Sequence, residues 1–141
     1  MHDILAQQFK NEVTTLGVKE LRTPEEVDAT LSRKGTILVF VNSVCGCAGG
    51  VARPALRMAI QHTVKPDVVA TVFASGDREA TAQARSYFNG MPPSSPSFAL
   101  LRDGKLVHMI HRSDIEISEP QNIAHMLTAS FDKYCDPVTQ E

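Results

Sequence analysis

Two cysteines one residue apart, Cys45-Gly46-Cys47, have the clearest capacity for chemistry in this 141-residue chain. A thiolate is both the nucleophile of disulfide exchange and a soft metal ligand, so a close pair points to redox or metal chemistry. With Cys135 the chain has three cysteines, too few and odd in number for a disulfide-stapled extracellular scaffold. Clustered cysteines of this kind suit a reducing compartment, and the cytoplasm is the expected location. The opening Met1-His2-Asp3-Ile4-Leu5-Ala6-Gln7-Gln8 has no basic region leading into an apolar stretch, so it does not read as a secretory signal.

The motif follows an apolar β-branched run and precedes a helical pattern, at the carboxyl end of a strand where open α/β sheets place their sites. A cysteine there meets unsatisfied backbone N–H groups and the positive end of the helix dipole. Both favour the thiolate and predict a pKa below the free value of ~8.5. Residues i and i+2 of a regular helix point about 200° apart, so two helical cysteines at this spacing would not meet. A disulfide between them requires an irregular turn, for which Gly46 is the suitable residue, and such a bond is expected to be strained and oxidising. Cys45 with Cys47 one residue behind is also the layout of an attacking and a resolving thiol. Asn42 and Arg53 are the polar residues flanking the motif.

Other readings start from the same residues. A metal or iron–sulfur module would need Cys135 or some of five scattered histidines as further ligands, since zinc generally takes four. His108 and His111 lie three apart across a strand end, while His62, His125 and the N-terminal His2 read as surface or satisfied residues. Gly46, Gly49 and Gly50 raise a phosphate-binding loop, but neither the Walker A ending nor a Gly-x-Gly-x-x-Gly spacing is present. Buried structural thiols and a redox-inert scaffold are the bland alternatives. Thiol redox chemistry leads, and no metal or bound cofactor is expected.

The elements that must position the motif are legible from hydrophobic pattern and turn residues. Ile4, Leu5, Phe9, Val13 and Leu16 predict a helix over about 3–16. Thr23-Pro24-Glu25-Glu26 opens a second with a capping-box arrangement, and Gly35 ends it. Thr36 to Val41 is apolar without alternation, a strand buried on both faces. A helix over about 49–62 contains Pro54, which should kink it. Val68 to Ala74 is a second buried strand, and 77–88 a helix capped by Ser75 or Asp77. Ser97–Arg102 and Lys105–Ile110 flank Asp103-Gly104, a two-residue hairpin signal. Ser118-Glu119-Pro120-Gln121 opens a last helix reaching about Lys133, with Cys135 at its frayed end. The order predicts one α/β domain over 1–141, a mixed sheet with a parallel pair, an antiparallel hairpin and helices on both faces.

Composition is that of an ordinary globular chain, 43% hydrophobic and 21% charged. The formal charge of −2 gives no sign of a nucleic-acid or anionic-membrane partner. The run Ile37-Leu38-Val39-Phe40-Val41 is far short of the ~20 apolar residues of a membrane helix.

Asn42-Ser43-Val44-Cys45-Gly46-Cys47-Ala48-Gly49-Gly50-Val51-Ala52-Arg53-Pro54 resembles the signature of the bacilliredoxins. So do Gly90-Met91-Pro92-Pro93-Ser94-Ser95-Pro96-Ser97 and the ending Phe131-Asp132-Lys133-Tyr134-Cys135, and the resemblance covers nearly the whole chain. It implies a thioredoxin-like three-layer sandwich with an extra N-terminal helix. It further implies a cytosolic protein that removes the low-molecular-weight thiol bacillithiol, or a similar thiol, from mixed disulfides on client proteins. Bacillithiol would be a co-substrate, and disulfide isomerase or general reductase activity is the neighbouring reading. Under the resemblance Cys45 is the nucleophile and Cys47 the resolving thiol. Gly46, Asn42 and Arg53 support them, and Pro96 is the proline that thioredoxin-like folds keep in cis beside the active cysteine. The sequence departs from ordinary thioredoxins in its Cys-Gly-Cys spacing, in Val44 where a Trp usually stands, and in lacking the buried acid of the preceding strand. A single exchange on an exposed mixed disulfide asks less of such a site.

Overall fold

A computed structural model describes residues 2–44, 46 and 48–135, so Cys45 and Cys47 themselves lie outside the described residues. The chain begins with α1 (His2–Thr14), ended by a turn in which Gly17 takes φ +87°. Val13 is fully buried on the core face of α1, whereas Ile4, expected on the same apolar stripe, is 65% exposed. A two-residue strand β1 (Lys19–Glu20) follows. No sequence pattern announces it, because two residues are too few to show the alternation that marks a strand.

Helix α2 (Pro24–Leu31) starts as its sequence requires. Thr23 Oγ1 accepts the Glu26 N–H at 3.1 Å, while the Glu26 carboxylate reaches one residue past the cap to the Arg22 N–H at 2.7 Å. The helix ends four residues before Gly35, whose φ of +96° turns the chain into β2 (Thr36–Asn42). Strands β3 (Val68–Phe73), β4 (Ser97–Arg102) and β5 (Lys105–Ile110) complete the sheet. Its order is β1-β3-β2-β4-β5, with β3 parallel to β1 and β2, and β4 antiparallel to β2 and β5. Asp103 and Gly104 both take positive φ, 54° and 80°, the type I′ geometry that matches the twist of a hairpin.

β2 is central and buried along its whole length, yet it still has two faces. Leu38 and Phe40 join Phe98 and Leu100 beneath α1, α3 (Arg53–Ala59) and α6 (Pro120–Tyr134). Ile37, Val39 and Val41 join Ala99 and Leu101 beneath α2 and α4 (Arg78–Arg85). The period of two that sorts them is invisible in an all-apolar run and appears only when layers cover both sides. Phe40 and Phe98 stack across the β2–β4 pair with ring centroids 4.7 Å apart, which fixes that register with aromatic contact as well as backbone bonds.

Several local expectations are corrected. Pro54 does not kink a continuous helix: a π-helical turn over Ala48–Ala52 gives way to α3, with Pro54 in the first turn of α3. Proline supplies no N–H to the carbonyl four residues before it, and a wider turn accommodates that missing donor. Asp77 occupies the cap position of α4 but makes no capping bond; its carboxylate lies 2.8 Å from Lys10 Nζ. Glu119 stands at the cap of α6, with Pro120 in its first turn. A short α5 (Arg112–Ile115) has no pattern long enough to announce it. Cys135 is not frayed: its N–H bonds to the Phe131 carbonyl at 2.8 Å and its side chain is buried in the α3–α6 core.

Candidate functional site

The segment entering the cysteine motif is held from three sides. Asn42, the last residue of β2, is 1% exposed and fully engaged. Its Oδ1 accepts the Ser43 N–H at 2.9 Å and an Arg53 Nη1–H at 3.0 Å, and its Nδ2 donates to the Phe9 carbonyl of α1 at 3.2 Å. Its backbone carbonyl accepts the Ala74 N–H at 2.9 Å. Beyond it the Val44 N–H donates to Ser75 Oγ at 3.1 Å. The loop is thereby tied to α1, α3 and the β3–α4 connection before it reaches position 45.

Arg53 is the cation at the centre of this arrangement, only 5% exposed. Its Nε donates to Glu12 Oε1 at 2.9 Å, and Nη1 also donates to the Ser43 carbonyl at 3.0 Å. The guanidinium carbon lies 4.5 Å from the centre of the Phe9 ring, a cation–π contact on the side not used for hydrogen bonds. A positive charge is thus buried directly beneath the loop, bonded to its backbone and to the strand that launches it. A planar fork suits such a site, because one side chain must bond three oxygens in different directions.

Pro96 reaches the same end of the sheet through register. Val41 pairs with Ser97 in the antiparallel β2–β4 ladder, so Asn42 and Pro96 stand one step beyond that pair. Pro96 is buried and the Ser95–Pro96 peptide is cis. The loop before it is pinned by two arginines: Arg85 Nη2 donates to the Ser94 carbonyl and Arg112 Nη1 to the Ser95 carbonyl, both at 3.3 Å. Burial lowers the pKa of Arg85 below the ordinary guanidinium range. Val44, 50% exposed, stands in the segment entering the motif, and Met91, 44% exposed, in the loop before Pro96.

The sheet therefore brings Asn42, Arg53 and Pro96 to the end of β2 that leads into the motif. Gly46 is exposed and helical, its φ lies outside the left-handed region, and an added Cβ would meet nothing within 4 Å. The irregular turn expected between Cys45 and Cys47 involves residues outside the described ones; a π-helical turn over Ala48–Ala52 follows the motif. Glu12, Phe9 and Ser75 are supports that the sequence does not single out. Their roles depend on contacts with residues 41, 44 and 31 positions away, and no local pattern encodes these.

Solved thioredoxins share this architecture. That of Fasciola hepatica superposes with a TM-score of 0.59 at 17% identity, covering 83% of this chain and 99% of its own. That of Malassezia sympodialis gives 0.59 at 12% identity, covering 83% and 90%. A family model described as disulphide isomerase matches residues 1–135. A bacilliredoxin of Geobacillus kaustophilus is 55% identical over 98% of this chain and 95% of its own length. The chain belongs to the bacilliredoxin family. A relative from Halalkalibacterium halodurans, also a bacilliredoxin, is 53% identical over 96% of this chain and 92% of its own. The expected fold is confirmed, and as a bacilliredoxin the chain is a thiol–disulfide oxidoreductase. The strand before the motif has no buried acid; the bacilliredoxin site has instead a neutral Asn42 bonded to a buried cation. Among the described residues no helix is long and apolar enough to cross a membrane.

Proposed function

We propose that this bacilliredoxin removes bacillithiol, or a similar low-molecular-weight thiol, from mixed disulfides on client proteins in the cytoplasm. The observation that supports this reading most directly is buried Arg53, whose positive charge is bonded to Asn42 and Ser43 in the segment leading into the Cys45-Gly46-Cys47 motif. A nearby fixed charge of this sign favours a thiolate over a thiol. In the first exchange the Cys45 thiolate attacks the small-thiol sulfur of the mixed disulfide. The Cys45–small-thiol bond forms, the bond to the client breaks, and the client leaves as a thiolate that takes a proton from solvent. In the second exchange Cys47 attacks Cys45, releasing the small thiol and leaving a Cys45–Cys47 disulfide. Alternatively a second low-molecular-weight thiol attacks the small-thiol sulfur, leaving Cys45 as a thiolate. No bound cofactor enters either route.

The test uses a client protein carrying bacillithiol on a single cysteine. Parent protein should free the client thiol, Cys47→Ala should hold the added mass on Cys45, and Cys45→Ala should do neither. Equal rates for the parent and Cys45→Ala would overturn the assignment. The description of the matching family favours disulfide isomerisation as a second reading. Higher turnover on a scrambled multi-disulfide protein than on the capped client would make that reading primary.

A further inference from the structure

A hollow of about 290 Å³ lies between β5 and the second half of α6, lined by His108, Met126, Ala129, Ser130, Lys133 and Tyr134. It stands at the middle of β5, where His108 pairs with Leu100, apart from the end of the sheet that leads into the cysteine motif. The ending Phe131-Asp132-Lys133-Tyr134-Cys135 divides its work here. Phe131 and Cys135 are buried in the core beneath α6, and Asp132 pairs with His62 at 2.9 Å. Lys133 and Tyr134 line the hollow instead. The five lining residues of α6 follow helical spacing and form one stripe, in which exposed Ala129 is the short side chain between Met126 and Lys133. Met126 and Tyr134 pack half-buried against the core and make the walls apolar. The Ser130 hydroxyl is spent on the Leu127 carbonyl at 2.6 Å.

Lys133 gives this apolar hollow its single charge. Its Nζ lies 5.3 Å from the centre of the Tyr134 ring, and it makes no ion pair among the described residues. Burial, and then the charge of Lys133, lower the pKa of His108 against an opposing pull from Asp114, so the imidazole is neutral at pH 7. We propose that the hollow binds a small monocarboxylic acid with an aromatic body, the carboxylate at Lys133 and the ring against Met126, Ala129 and Tyr134. Methionine sulfur and a tyrosine ring both suit an aromatic occupant, and an unpaired ammonium suits one carboxylate. The volume is close to the lower end of ligand cavities, ~300–1,000 Å³, which limits the occupant to a single ring with a short chain. The site shares no residue with the cysteine motif or its supports, so it stands or falls separately from small-thiol removal.

NMR titration of the full chain with 3-phenylpropionate and with 3-phenylpropanol, which has the same ring and no charge, tests this. The acid should shift the amide signals of Ala129, Ser130 and Lys133 and bind about fivefold more tightly than the alcohol, the scale of an ion pair at an exposed lysine. Lys133→Gln should remove that preference and leave the alcohol's affinity within about twofold, while Lys133→Arg should keep it. Ala129→Leu fills the hollow from an exposed position and should abolish binding of both probes. A carboxylate beside Lys133 offsets the charge that depresses His108, so its ring signals should titrate at higher pH in the acid complex than in the alcohol complex. Equal affinity for acid and alcohol, or acid binding unchanged in Lys133→Gln, would overturn the carboxylate assignment. Shifts that persist in Ala129→Leu, or none up to the solubility of the acid, would overturn the site itself.

Discussion

The two ends of the central sheet are held by different physics. Where β2 begins, exposed or half-buried acids grip backbone a turn away in space. The Asp103 carboxylate accepts the Gly35 N–H at 2.7 Å, and the Asp103 N–H donates to the Gly35 carbonyl at 2.8 Å. Thr36 and Asp67 exchange two bonds, both 3.1 Å. Where β2 stops, one buried guanidinium bonds an amide side chain, a loop carbonyl and a carboxylate from another helix. Loss of a contact at the first end admits water. At the second it strands polar groups that water reaches poorly, which costs more. The end that leads into the cysteine motif thus centres on one buried cation, whereas the opposite end shares its load among turns.

The largest effect should come from Arg53→Met, which keeps apolar bulk and removes every donor. We expect a loss of about 3 kcal/mol, read as a lower urea midpoint at constant slope, together with loss of small-thiol removal. A variant within about 0.5 kcal/mol of the parent would break the contrast between the two ends.

At the opposite end, Gly35→Ala is the sharper probe. Its φ of +96° disfavours any L side chain, and the new Cβ would collide with the Asp67 carboxylate that holds Thr36. About 2 kcal/mol of stability should be lost. The rate of small-thiol removal by the folded fraction should be unchanged, as measured under conditions where the variant remains native. A matching fall in rate would show that the two ends are coupled through β2.

This contrast also explains which parts are legible in the sequence. Asp103-Gly104, Thr23-Pro24 and Gly35 carry their geometry locally, so residue types alone reveal the hairpin, the α2 start and the turn into β2. The all-apolar run of β2 identifies a central strand but not which residue faces which layer. Cys45-Gly46-Cys47 marks the proposed chemistry by composition. The apparatus around it is only partly visible, because Glu12 and Phe9 meet Arg53 through tertiary packing of α1 on α3. Ser75 reads as a helix cap because a serine before a helix usually caps; here the loop claims its hydroxyl instead.

Ser75→Ala isolates that claim. The Val44 N–H would lose its acceptor at a position half open to solvent, so the stability cost should be about 0.5 kcal/mol. The loop it steadies should exchange amide hydrogens faster at Val44, detectable by hydrogen exchange. Unchanged protection there would mean that Arg53 and Asn42 suffice to hold the loop.

The smallest effect belongs to His108, in the middle of β5 and remote from both ends. Burial lowers its pKa, Lys133 adds to that, and Asp114 opposes it. Its Nε2 is buried without a hydrogen-bond partner among the described residues, as suits a neutral imidazole. A folded-state pKa below the unfolded value means that the unfolded chain binds the proton more readily. The neutral ring's contribution is therefore complete above the ordinary histidine pKa of about 6.5 and is lost as pH falls through the lower folded value. Because the ring is only half-buried, solvent screening keeps the total below about 0.5 kcal/mol. Urea midpoints at pH 7.5 and 5.5 should differ slightly less for His108→Phe than for the parent. Identical pH dependence in the two proteins would show that the imidazole titrates alike folded and unfolded.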